Sequence, residues 1–457
     1  MRRSLSVLAL CLLSACAATP AAEVTMRFTS PSGSGTDLVL PEALAQPAVG
    51  RSSRGNAQMA RDFLDLEFRM ESGRALPVLT RFEGPITVEM TGSVPGSAPA
   101  ELDRLIGRLR AEAGLDLRRT SGGNASVTIE FVPRAAMRRA VPTAACFVVP
   151  NVTSFAEYRS ARNAGRTDWA LLTRRDHATI FVPADTNPQE VRDCLHEELA
   201  QALGPLNDLY HLPDSVFNDD NFHTVLTGFD MLMLRVHYAP ELASGMNEAE
   251  VAARLPAILA RLNPAGEGKA TTPATIAPRV WVQAVEGAFG VTGGAGQRVG
   301  AAERMLSIAM AQGWNDGRLA LSWYALGRAQ VISDPEAAVR AFSEARRIWR
   351  GIGGAAIHVA HVDMQLAAIA LAAGQPDQAM AFADRAIPVV RDAQNAALLA
   401  TLMLIKAEAL EAMGRVAEAK ALRLDTAPLA RYGFGSDRQV RARTAEIASL
   451  AARGARG

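Results

Sequence analysis

Cys194-Leu195-His196-Glu197-Glu198-Leu199-Ala200-Gln201-Ala202-Leu203-Gly204-Pro205-Leu206-Asn207-Asp208 is the stretch on which the reading of this chain turns. Just upstream, Asn187-Pro188-Gln189-Glu190 has the residues of a helix start: an Asn to cap, a Pro for the first helical position and an early Glu. Gly204-Pro205 is a stop, so one helix is predicted through Leu203. Four-residue spacing places Glu197 and Gln201 on one helix face. The apolar residues around Glu198 imply burial on most sides, and a carboxylate there needs a partner. Glu198 with Glu197, or with Asp208, is a candidate acid–base pair. The plainer alternative is that Glu197 and Glu198 are two solvated surface carboxylates.

The window resembles H-E-x-x-H-x-x-G-x-x-H-D, the zinc motif of the metzincins such as astacins and matrixins. There, two His on one helix face and a third after a Gly turn hold the metal, and the Glu holds the zinc-bound water. Here the frame reads E-E-x-x-Q-x-x-G-x-x-N-D. The resemblance puts Glu198 on the general base, Gly204 on the turn and Asp208 on the Asp that follows; the three metal-ligand positions carry Glu197, Gln201 and Asn207. Ser215-Val216-Phe217 resembles the S-[IV]-M of the Met-turn, with Phe217 in place of Met. Leu226-Thr227-Gly228-Phe229-Asp230 and Leu234 to Tyr238 resemble the last helix of matrixins. The resemblance implies an α+β metzincin-like domain over residues 54–247, a twisted mixed sheet with two long helices. Without imidazoles, zinc affinity is expected to fall by orders of magnitude, so no cofactor is expected beyond a weakly held hard divalent cation. Gln201 and Asn207 would then be hydrogen-bonding partners of the carboxylates, a polar replacement for the metal. The window is also similar to a family of uncharacterised alphaproteobacterial lipoproteins with the signature C-x-x-E-E-x-x-Q-x-L-G-x-x-N-D, which has no established activity to lend.

Outward from this window, helical spacing covers about Asn56 to Glu71 and Ala100 to Ala113, the latter with Leu102, Leu105, Ile106 and Leu109 on one stripe. Ile86 to Met90, Ser126 to Val132, Ala145 to Val149 and Ala178 to Val182 read as strands. A chain of 457 residues is too long for one ordinary core. A net charge of +1 gives no field that would favour nucleic acid, and lysine stands only at Lys269, Lys406 and Lys420. No Gly-rich phosphate loop, G-x-S-x-G elbow or C-x-x-C pair occurs.

The first residues read as a targeting segment. Arg2 and Arg3 precede the short apolar run Leu5 to Leu13, and Leu13-Ser14-Ala15-Cys16 resembles the bacterial lipobox. The expectation is a signal peptide over 1–15, lipidation at Cys16 and a flexible Ala/Pro/Ser/Gly tether over 16–53. By resemblance to sorted lipoproteins, Ala17 in place of Asp favours the outer membrane. Of the remaining cysteines, Cys146 and Cys194 are either a disulfide suited to an oxidising compartment or two buried free thiols.

Residues 248–275 read as a linker. From 276 to 431 the chain is Ala- and Leu-rich, with glycines taken as helix ends at Gly290, Gly327, Gly374 and Gly414, at intervals of 37, 47 and 40 residues. Trp323-Tyr324-Ala325-Leu326-Gly327 followed by Ala338 to Phe342 resembles the tetratricopeptide pattern, which implies an all-α tetratricopeptide-like helical-hairpin solenoid. Gly290 to Gly300 reads as a loop, and 432–457 as a capping helix and tail. The expected function is that of a periplasmic lipoprotein, anchored to the membrane by its lipid. Its peptidase-like domain would be inactive, and its repeats would engage an envelope protein or peptide. The alternative is an active periplasmic metal-dependent peptidase with atypical ligands.

Overall fold

The computed structural model describes residues 25–28, 40–41, 44, 54–218, 220–270, 274–290 and 294–454. The expected signal peptide, Cys16 and most of the tether lie outside them. Six strands form one mixed sheet: β1 (Thr25–Phe28), β2 (Ile86–Gly92), β3 (Leu117–Arg119), β4 (Val127–Val132), β5 (Ala144–Pro150) and β6 (Ala178–Pro183). Their order is β1-β5-β6-β4-β2-β3. β3, β2, β4 and β6 run parallel, with Val88 opposite Val127 and Ile129 opposite Ile180; β5 and β1 continue the sheet antiparallel. β5 and β6 are buried along their whole length, as strands covered on both faces must be.

Alternation sorts those residues between two cores. Cys146, Val148, Ile180 and Val182 face a large core built with α1 (Asn56–Glu67), α2 (Ala98–Glu112) and, further along, α5 (Pro188–Leu203), α6 (Gly228–His237) and α7 (Glu248–Leu262). Phe147, Val149 and Phe181 face a smaller one under α3 (Arg134–Ala140) and α4 (Phe155–Ala161). The expected α+β domain with a mixed sheet is thus an α/β domain whose mixed sheet is covered by helices. Cys146 on β5 and Cys194 on α5 form a disulfide that ties sheet to helix across 48 residues, a loop closure that contributes about 2–4 kcal/mol.

Three sequence expectations need correction here. Residues 248–262, expected to be linker, are α7, started by a reciprocal Asn247–Glu250 capping box and burying Val251, Leu255, Ile258 and Leu259. The first helix stops at Glu67, not Glu71. In the second half, α9 (Ala295–Ala311) runs through Gly296 and Gly300, where a loop was expected.

The second half is all helical: α8 (Arg279–Phe289), α9, α10 (Gly317–Gln330), α11 (Pro335–Arg350), α12 (Ala356–Ala372), α13 (Pro376–Asp392), α14 (Ala396–Ala412), α15 (Val416–Phe434) and α16 (Asp437–Gly454). Consecutive helices pack in pairs, α8 with α9 through α14 with α15, and α16 lies against α12, α14 and α15. Gly374 and Gly414 sit in turns at positive φ, +69° and +78°, which suits a residue without a Cβ. Gly327 ends nothing. It lies inside α10, where a Cβ would come within 2.8 Å of the Phe342 ring, so its role is close approach of α10 to α11.

Candidate functional site

Every one of the sixteen residues of α5 is buried. Val191, Cys194, Leu195, Leu199 and Leu203 join the large core. The other side meets the helical half: Gln189 Nε2 donates to Asn395 Oδ1 at 3.0 Å, and Gln189 Oε1 accepts the Ala397 backbone N–H at 2.7 Å. Arg192 donates to the Gln394 carbonyl at 2.6 Å and lies over the Tyr432 ring. Tyr432 in turn donates to Glu101 Oε1 of α2 at 2.5 Å. α5 is therefore a strut between the sheet and the helical pairs.

Burial extends to the frame residues singled out from the sequence. Glu197, Glu198, Gln201, Asn207 and Asp208 are all buried, Glu198 and Gln201 with no exposure at all. Gln201 Nε2 makes a long bond, 3.5 Å, to Asp208 Oδ2. Asn207 turns elsewhere: its Nδ2 donates to the Asp65 carbonyl at 2.8 Å and its Oδ1 accepts the Asp208 backbone N–H at 3.0 Å. The hydrogen bonds thus join Gln201 to Asp208 and Asn207 to Asp65. They do not join Gln201 to Asn207. Among the described residues no three His, Cys, Asp or Glu side chains form a cation-holding group. A carboxylate, an amide with one long bond and an amide with both polar atoms engaged do not fit a catalytic zinc, which takes three imidazole or carboxylate donors on one metal.

The downstream residues do assemble. Asp230, wholly buried at the start of α6, accepts from Ser215 Oγ at 2.5 Å, Val216 N–H at 3.2 Å and Thr227 N–H at 2.7 Å. Burial pushes its carboxyl up to about 6 against the pull of those bonds. Ser215 Oγ also accepts the Phe217 N–H at 3.0 Å, and the Phe217 carbonyl accepts the Leu209 N–H at 2.8 Å, so the 215–217 loop is pinned to the 207–209 segment and to α6. Gly204 lets α6 approach closely: a Cβ there would sit a tight 3.3 Å from the His237 ring.

Several side chains that matter here carry no local signal. Arg175, buried in the approach to β6, donates to the carbonyls of Gln201 and Ala202 at 2.7 Å each and to that of Gly204, satisfying carbonyls that the end of α5 leaves open. His237 Nδ1 and Glu67 Oε1 pair at 2.9 Å in the large core. Tyr210 and Phe222, from the loops after α5, belong to the core of the helical half. Phe222 lies among Tyr324, Trp349, His358 and His361, and Asp220 beside it pairs with His358 at 2.7 Å. Burial, with His358 next in effect, lowers His223 to about 4 and His361 to about 3.

Two clefts reach these elements. One of about 180 Å³ runs between the halves and is lined by Asn207, Asp208, His211, Arg69 and Arg279 among others, without reaching Glu197, Glu198 or Gln201. The other, of about 310 Å³, lies between α2 and α5 and is lined by Arg104, Arg108, Arg192 and His196. No helix among the described residues is long and apolar enough to cross a membrane. No curated protein and no solved structure matches the chain. Residues 56–257, from the first residue of α1 into α7, match the family model described as "Protein of unknown function (DUF2927)", so the first half of this chain carries a domain of that family.

Proposed function

We propose that this chain is a non-catalytic envelope lipoprotein, anchored through Cys16 on the periplasmic face of the outer membrane. In this reading, a degenerate metzincin-like domain and a tetratricopeptide-like helical region act together as a scaffold for another protein or peptide of the envelope. The observation that carries it is the burial of α5. Glu198, which the resemblance casts as general base, has no exposed surface, and the helix that bears it is hydrogen-bonded to Gln394 and Asn395 of the helical half. A general base must come within hydrogen-bond reach of a substrate or of a water, and a hydrolase cleft must admit both. The cleft of about 180 Å³ touches Asn207 and Asp208, and the cleft between α2 and α5 reaches Arg192 and His196; neither is lined by the carboxylates at 197 and 198. The polar side chains of the frame serve structure in this reading: Asn207 ties the segment after α5 to α1, and Gln201 meets Asp208.

A partner is left the faces of the helical region that Tyr210 and Phe222 do not occupy. The test uses the full chain, with elemental analysis for zinc and other divalent metals, melting with and without chelator, and a peptide-library cleavage assay beside Glu198→Gln. The expected result is no cleavage above background and the same melting temperature in chelator. Cleavage that disappears in Glu198→Gln would overturn the proposal in favour of a peptidase.

A further inference from the structure

The cleft between α2 and α5 adds Arg104, Arg108, Glu112 and His196, to which the proposed function assigns no role, to Glu101, Arg192 and Gln394. One face of α2 supplies Glu101, Arg104, Arg108 and Glu112, at three- and four-residue spacing, and α5 supplies Arg192 and His196, four apart. Both carboxylates in the lining are already taken. Glu112 accepts two bonds from Arg108, at 2.7 and 2.9 Å, and Glu101 accepts from Tyr432 at 2.5 Å and pairs with Arg104 at 2.6 Å. Three guanidiniums against two carboxylates leave a charge of +1 in the lining.

Donors are held ready for a ligand. Arg108 Nη1 is buried with no hydrogen-bond partner among the described residues. Arg192 is 2% exposed, fixed by the Gln394 carbonyl and the face of Tyr432. His196 is 6% exposed, and its Nδ1 accepts the Leu226 backbone N–H at 3.1 Å, which puts the proton of the neutral ring on Nε2. Burial, and then Arg108, Arg192 and Arg104, hold His196 neutral well below its ordinary range.

We propose that this cleft binds the oxyanion of a small ligand, a carboxylate or a phosphate group, through Arg104, Arg108, Arg192 and the Nε2–H of His196. Planar guanidinium forks match both groups, and donors fixed by their own partners lose little freedom when a ligand docks. A volume of about 310 Å³ is that of a small-molecule pocket rather than of a polymer groove.

Inorganic phosphate and acetate, titrated separately into the full chain at constant ionic strength, test the site, with the His196 ring followed by nitrogen-15 NMR. The expected result is a saturable shift of the His196 signals with an apparent Kd below about 5 mM for at least one of the two anions, with the ring titrating at higher pH once the anion is bound. Phosphate alone saturating assigns a phosphate-bearing ligand, and acetate alone a carboxylate; saturation by both assigns the shared oxyanion. Arg108→Gln should weaken binding about tenfold or more. Arg104→Gln, whose side chain is a third exposed and outside the core, should weaken it in a protein of unchanged fold. Shifts that rise linearly with both anions, or that are the same in wild type and both variants, would overturn the proposal.

Discussion

Replacing Phe222 by Ala tests how the two halves are joined. The ring is 5% exposed and belongs to the core of the helical half, although the residue comes from the loop between α5 and α6. Its centroid lies 5.3 Å from that of Tyr324, 5.6 Å from Trp349, 4.7 Å from His358 and 4.4 Å from His361. Deleting a buried Phe removes its transfer free energy and leaves a cavity, together about 3–5 kcal/mol, and loop-borne aromatics that insert into a neighbouring core have little room to relax. Urea unfolding followed by tryptophan fluorescence reads the loss, with Leu171→Ala, at 66% exposure, as a surface control expected to change stability by less than about 0.5 kcal/mol. A second, independent readout is His361. Burial is the main reason its ring is lowered to about 3, so opening the packing should let it rise toward its ordinary 6.5. A loss under about 1 kcal/mol with an unmoved His361 would mean that this loop does not anchor the first domain in the helical half.

Two further outcomes follow from the same geometry. Buried His223 and His361 stay neutral to about 4 and 3, while in the unfolded chain they take up protons near 6.5, so stability is lost as pH falls from about 6.5 to 4, by roughly 3 kcal/mol for each. Asp230, raised from 3.8 to about 6, works the other way and regains roughly 3 kcal/mol over nearly the same range, while His196, held neutral by burial, adds to the loss; urea midpoints at pH 7 and pH 4 should therefore show a net loss of about 3 kcal/mol or more, and a protein more stable at pH 4 would contradict the balance. Gly327→Ala should destabilise by about 1 kcal/mol despite the gain in helix propensity, because its Cβ meets the buried Phe342 ring; thermal melting that shows stabilisation would return Gly327 to a mere interruption of the helix.

The local signals in the sequence were dependable where the physics is local. Asn187, Pro188 and Gly204 bound α5 because a cap, a fixed φ and a break in the helix each act within a turn. The strands read at Ile86 to Met90, Ser126 to Val132, Ala145 to Val149 and Ala178 to Val182 lie on β2, β4, β5 and β6 to within a residue or two at each end, and the cysteine pair was one of two open readings. α7 was missed on composition. Ala and Pro suggested a linker, although Asn247 and Glu250 form a capping box and Val251, Leu255, Ile258 and Leu259 keep helical spacing past Pro256. Gly327 was misread because a glycine that ends a helix and one that admits a neighbouring ring look alike until the neighbour, Phe342, is known. Arg175 was invisible for the same reason: its partners are carbonyls at 201, 202 and 204.

The candidate site shows the same division more sharply. Spacing tells which side chains share a face of α5, and it put Glu197 and Gln201 together correctly as a matter of helix geometry. It does not tell what packs on that face. The helical half meets another part of α5, where its polar groups answer Gln189 and Arg192: Asn395 to Gln189, the Gln394 carbonyl to Arg192, and Tyr432 to Glu101 of α2 behind them. Each such bond, broken without water to replace it, leaves a buried group whose desolvation costs about 1–3 kcal/mol. A helix so polar is stable at full burial because both halves supply its partners, Arg175, Asp208 and the Leu226 N–H from the first and Gln394 and Asn395 from the second. The residues that read as the remnant of a metal site thus sit on a helix that makes the two halves of the molecule depend on one another.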